Sequence, residues 1–102
     1  MRLQVLHVAD CPGAAMLTAR LTRLISGRTE VEQQLVGNQE QAAMLRMTGS
    51  PTLLIDGVDP FAAAGLPPSL SCRLYRDENG AFSRAPSLAQ LRAVLQPGER
   101  NG

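Results

Sequence analysis

Apolar positions change their period several times along this chain, and each change marks an element. Residues 3–8 (Leu-Gln-Val-Leu-His-Val) read as a strand, with Leu3 and Val5 on one side and Leu6 and Val8 on the other. Apolar groups on both faces predict a strand covered on both sides, as in an α/β sheet. From Ala14 the period lengthens: Ala14, Leu17, Leu21, Leu24 and Ile25 recur three or four residues apart, on one stripe of a helix. Pro12 suits the first helical position and Cys11 the cap before it. Arg20 and Arg23 fall off the stripe, and Gly27 is a stop signal. Residues 30–36 read as a second strand. Asn38 then precedes Gln41 by three positions, a capping pattern that opens a second helix through Ala42, Ala43, Met44 and Leu45, ending before Gly49. Residues 52–56 (Thr-Leu-Leu-Ile-Asp) form a third strand with apolar residues on both faces. Alternation of strand and helix predicts right-handed crossovers and a parallel sheet.

The second half is more broken. Asp56-Gly57 is a hairpin-turn pair, but Pro60 allows only a very short paired strand after it. Residues 59–69 read as a long loop, a kind of segment that tends to be functional or mobile. Residues 70–76 alternate as a strand, with Cys72 and Leu74 on one face and Arg73 and Tyr75 on the other. The Cys72–Leu74 face is expected to turn toward the core. Asp77-Glu78-Asn79-Gly80 is a turn, and 81–84 returns as a short partner strand. Ser87 and Gln90 repeat the capping pattern before a last helix with Leu88, Leu91, Val94 and Leu95 on one stripe, stopped by Pro97-Gly98. Residues 1–97 thus read as one domain and 98–102 as a flexible tail.

Composition narrows the function classes. A chain of 102 residues has the commonest size of one domain, and 44% hydrophobic with 19% charged residues argues against disorder. The net charge is +1, which supplies no steering field and counts against a dedicated nucleic-acid binder. All ten basic residues are Arg, which excludes Schiff-base lysine and P-loop chemistry. The arginines are scattered, so they read as coding bias rather than an anion site. Aromatics make up only 3%, which removes stacking platforms for single-stranded nucleic acid. No secretory pattern and no run of about 18 apolar residues occurs, so a cytoplasmic protein without membrane contact is expected, its two cysteines reduced.

Chemistry then centres on the thiols. Cys11 at a helix N-terminus meets free backbone N–H groups and the positive end of the helix dipole, and both favour the thiolate. His7 lies four residues earlier and is a candidate base; Asp10 is a candidate tuning group beside the thiol. Packed histidine and solvated loop carboxylate are the competing readings. Asp56 and Asp59 are turn formers, and Met16, Met44 and Met47 read as core filler. No metal-finger spacing and no glycine-rich phosphate loop is present, so no metal site and no cofactor are assigned.

Asp10-Cys11-Pro12-Gly13-Ala14 after the first strand and Thr48-Gly49-Ser50-Pro51-Thr52 before the third resemble the thioredoxin family over residues 1–58 and the final helix. The resemblance implies a thioredoxin-like α/β fold with a central mixed sheet of four to five strands flanked by three helices. It implies that Cys11 is the nucleophile and that Pro51 is a cis-proline. Backbone groups of Ser50 and Thr52 would then be free to position an extended thiol substrate. Partners would be a thiol-containing protein or a small thiol. Where the family has its second cysteine, this sequence has Ala14. Two routes remain: monothiol chemistry resolved by a small thiol, or Cys72 as resolving partner.

Cys-Arg-Leu-Tyr-Arg-Asp at 72–77 and Ala-Pro-Ser-Leu-Ala-Gln-Leu at 85–91 are similar to a segment near the end of organomercurial lyases, in which two cysteines and an Asp bind mercury. Cys11, Cys72 and Asp10 supply those residue types, although spacing and length differ. The likeness implies a shared ancestry or thiol–metal affinity, and no lyase activity is expected. The alternative function is therefore a non-catalytic thioredoxin-like binding module, holding a partner or a soft metal with Cys11, Cys72 and the loop 59–71.

Overall fold

The computed structural model describes residues 1–25 and 30–95. The stops expected at Gly27 and Pro97-Gly98 and the tail 98–102 lie outside the described residues. In chain order the elements are β1 (Leu3–His7), α1 (Pro12–Ile25), β2 (Val31–Leu35), α2 (Gln39–Leu45), β3 (Thr48–Ser50) and β4 (Thr52–Ile55). They continue with β5 (Ser69–Cys72), β6 (Tyr75–Arg76), β7 (Phe82–Ser83) and α3 (Leu88–Leu95). The architecture is α/β, with three helices among the described residues and a mixed three-stranded sheet in the order β2-β1-β4. None of these helices is long and apolar enough to cross a membrane.

β1 is the central strand, and its two faces seed two cores. Leu3 and Val5 pack with Ala14, Leu17, Leu21 of α1, Leu53 of β4 and Leu91 of α3. Leu6, on the other face, packs with Val36, Ala42 of α2, Met47 and Leu54. Period-two alternation in β1 thus places α1 and α3 on one side and α2 on the other. The capping patterns form as the sequence predicts. Asn38 Oδ1 accepts from the Gln41 N–H and Ser87 Oγ from the Gln90 N–H. Gln90 Oε1 closes a reciprocal box on the Ser87 N–H, whereas Gln41 Oε1 reaches one residue further, to the Gly37 N–H.

Five expectations are corrected. The sheet is mixed, as the resemblance implies, and not parallel as the alternation alone predicts: β1 pairs parallel with β2 but antiparallel with β4, Leu6 opposite Thr52 and Leu3 opposite Ile55. The reason is the length of α2, whose seven residues rise only about 10 Å, against about 16 Å for a five-residue strand. The chain is not carried back along the sheet, so β4 starts beside the end of β1 and runs the other way. The central sheet has three strands rather than four or five. After the Asp56-Gly57 turn only Val58 bridges back to Ile55, and β3 pairs with β5, β6 with β7, in two separate ribbons.

The strand expected over 70–76 is interrupted at Arg73 and Leu74. Its facing is reversed: Cys72 and Leu74 are exposed, while Tyr75 is buried and the Arg73 side chain is only 9% exposed. Tyr75 has the larger surface to bury and a partner for its hydroxyl, and the Arg73 guanidinium is bonded to Asp59, Phe61 and Thr52, so the polar pair goes inward. Met44 is 78% exposed rather than core filler, because Ala42 takes the inner face of α2. Met47 is buried and Met16 partly so.

Candidate functional site

Cys11 sits between β1 and α1, directly before Pro12, and its carbonyl accepts from the Ala14 N–H at 3.2 Å. The thiol is half-buried against the apolar cluster of α1 and α3. Asp10 before it adopts φ 56°, a left-handed conformation that Asp tolerates better than most residues. That turn brings Cys11 toward the β3–β4 junction.

Ser50 meets it there. Ser50 Oγ donates to Cys11 Sγ at 3.0 Å and accepts from the Val8 N–H at 3.0 Å. The hydroxyl is held by the end of β1 and aimed at the sulfur. Ser50 is buried, so little water competes for this contact. The Ser50–Pro51 peptide bond is cis. The Pro51 ring lies against the first turn of α1: a Cβ on Gly13 would stand 2.9 Å from Pro51 Cδ and 2.5 Å from the Arg84 carbonyl oxygen. Only glycine admits this approach of three chain segments at the thiol. Ala14, at the family's second-cysteine position, is buried in the core.

The substrate edge expected at Ser50 is not free. The Ser50 carbonyl accepts from the Arg73 N–H at 3.0 Å. β3 runs parallel to β5 with Ser50 opposite Cys72. The Pro51 carbonyl accepts from the Tyr75 hydroxyl. Thr52 is engaged as well: it pairs with Leu6, its hydroxyl donates to the Gly49 carbonyl, and it accepts from Arg73 Nη1. The reason is that residues 71–75 cross the β3–β4 junction, where a detached 70–76 strand would have left it open.

Arg73 organises that crossing. It bonds Asp59 Oδ2 at 2.7 Å and the Phe61 carbonyl at 2.9 Å, and it lies 4.7 Å from the centroid of the Tyr75 ring. Phe61 meets the same ring edge-on at 5.7 Å. Burial pushes the Tyr75 hydroxyl well above the ordinary tyrosine range, against the opposing pull of Arg73. These residues were visible in the sequence only as a turn former and a strand face; the alternation over 70–76 was the signal for them.

His7 is not brought to the thiol by any hydrogen bond; its Nδ1 bonds the Val8 carbonyl at 3.0 Å. Asp10 is exposed. Cys72 is exposed and lines an open cleft of about 500 Å³ together with Thr48, Phe61, Leu66 and Leu74. Among the described residues no three His, Cys, Asp or Glu side chains converge as a metal site. No protein-family model, curated protein or solved structure matches this chain.

Proposed function

We propose that the protein is a small thioredoxin-like, thiol-dependent redox protein with Cys11 as its nucleophile. The hydrogen bond from Ser50 Oγ to Cys11 Sγ at the start of α1 carries this reading. A hydroxyl donor and the N-terminal end of a helix both stabilise negative charge on sulfur. The order β1-α1-β2 followed by an antiparallel β4, with Pro51 packed on Gly13, supports the thioredoxin-like assignment.

The chemistry is thiol–disulfide exchange. The Cys11 thiolate attacks one sulfur of a disulfide; a new S–S bond forms to Cys11 as the substrate bond breaks, and the departing sulfur leaves as thiolate and takes a proton from water. In the monothiol route a small thiolate then attacks the substrate sulfur of the mixed disulfide, so that a disulfide between the two small or substrate sulfurs forms and Cys11 leaves as thiolate. In the other route Cys72, the register neighbour of Ser50, attacks the Cys11 sulfur and the other half of the substrate leaves as thiolate. With Cys72, two protein thiols become one disulfide and the substrate disulfide gains both electrons. The alternative binding module would hold a soft metal with Cys11 and Cys72 alone, since no third ligand joins them among the described residues.

Ser50→Ala tests the reading. A hydrogen bond to a charged group is worth about 1.5 kcal/mol or more, roughly tenfold in thiolate population. The remaining thiolate is more nucleophilic, with a Brønsted slope near 0.5, so alkylation of Cys11 near neutral pH should slow by about threefold. Measured with iodoacetamide and mapped to Cys11, an unchanged rate would remove the role of Ser50. A wild-type rate no faster than that of the unfolded chain would remove the redox reading.

A further inference from the structure

Beside Cys11, the main-chain groups that a polypeptide would pair with are already occupied by the chain itself. The Ser50 carbonyl is bonded to the Arg73 N–H and the Pro51 carbonyl to the Tyr75 hydroxyl. Gly49 faces the same segment so closely that a Cβ there would stand 2.8 Å from Arg73 Cβ and 3.3 Å from the Ser71 carbonyl oxygen. β5 itself is anchored at its start. The Ser69 N–H donates to the Met47 carbonyl at 3.0 Å, and Leu70 packs on the core under α2. Recognition of an extended peptide by strand addition requires an unpaired edge, and at Ser50 that edge is filled by β5. Cys11 itself is only partly buried, so a molecule that makes no strand pairing can approach it.

We propose that the substrate of Cys11 is a low-molecular-weight disulfide rather than a cysteine held in an extended polypeptide, because β5 fills the strand-pairing edge beside the thiol. This rests on the redox reading above. In the step concerned, Cys11 S⁻ attacks RS–SR, the Cys11–S–S–R bond forms, and RS⁻ departs and is protonated by water. A small thiolate R′S⁻ then attacks the R sulfur of the mixed disulfide, the R′S–SR bond forms as the Cys11–S bond breaks, and Cys11 leaves as thiolate.

Two probes with one leaving group test this: hydroxyethyl disulfide, and a short extended peptide whose single cysteine is blocked as the mixed disulfide with mercaptoethanol. Formation of the mixed disulfide is followed by mass and mapped to Cys11, in the folded chain and in the chain unfolded in urea. The expected folded-to-unfolded rate ratio is at least about tenfold higher for hydroxyethyl disulfide than for the peptide, equivalent to about 1.4 kcal/mol. Equal ratios, or a higher one for the peptide, overturn the proposal and leave the redox reading standing. Ratios of one or less for both probes remove the redox reading and this proposal with it. Ser69→Pro, which deletes the N–H donated to Met47 and loosens β5, should raise the peptide rate toward that of the small disulfide. A folded Ser69→Pro chain with an unchanged peptide rate would show that β5 is not the barrier.

Discussion

The Tyr75 hydroxyl is buried and its proton is committed to the Pro51 carbonyl, so losing that proton in the folded chain is unfavourable. Burial raises its ionisation above tyrosine's ordinary value of about 10, which the unfolded chain retains. Below about pH 10 the hydroxyl is neutral in both states and adds no pH dependence; above it the unfolded chain releases the proton first, and stability falls as pH rises. Tyr75→Phe should therefore cost about 1–2 kcal/mol near neutral pH, from the lost hydrogen bond and the unpaired carbonyl. The gap to wild type should narrow above about pH 10. Urea midpoints at neutral and alkaline pH check this, and a gap that stays constant would contradict it. At this scale the sequence was half legible. Cys11 and Pro51 stood out because helix starts and X–Pro bonds leave local marks. Tyr75 did not, because nothing local says that its ring outbids Leu74 for the interior.

Helix α2 shows what an element's own sequence can and cannot tell. Its start is written locally: Asn38 in extended geometry accepts from the Gln41 N–H, and Arg46 ends the helix with φ 63°. Seven residues are too few to hold a helix without caps and packing. Asn38→Ala should therefore lower stability by about 1 kcal/mol, while Asn38→Gly, which keeps the open N-cap backbone, should cost only a few tenths. Denaturant unfolding of the two variants checks the order; equal losses would mean that the cap contributes through packing. Both capping patterns were legible because donor and acceptor lie three residues apart. The direction of β4 was not, because it depends on how far α2 carries the chain. The break in the expected 70–76 strand was hidden for a similar reason: its residues answer to Ser50, Pro51 and Asp59, none of them a near neighbour in sequence.

Across the whole molecule, the 59–69 loop is tied to the segment between β5 and β6 by a buried ion pair. Arg73 and Asp59 are each 9% exposed at the side chain, and their 2.7 Å contact joins residues 14 apart. Around it, Asp59 Oδ1 accepts from the Phe61 N–H, and Arg73 also holds the Phe61 carbonyl and Thr52 Oγ1. The pair therefore closes the loop over Tyr75 and fixes the segment that covers Pro51. Such a pair is weak evidence of net stability, since desolvation offsets most of the attraction, but breaking it leaves a buried charge unmatched. Asp59→Ala should cost about 3–5 kcal/mol, and the double replacement Asp59→Leu with Arg73→Met should recover much of that loss. Glu32→Ala gives the contrast: its partner Arg2 and Glu32 itself are 62% and 51% exposed at the side chain, so water screens the pair and removal should change little. Urea midpoints of the four chains decide it. If Asp59→Ala costs no more than Glu32→Ala, the buried pair does not hold the loop. If the double variant is as unstable as the single one, the loss lies in the hydrogen bonds to Phe61 and Thr52 rather than in the stranded charge.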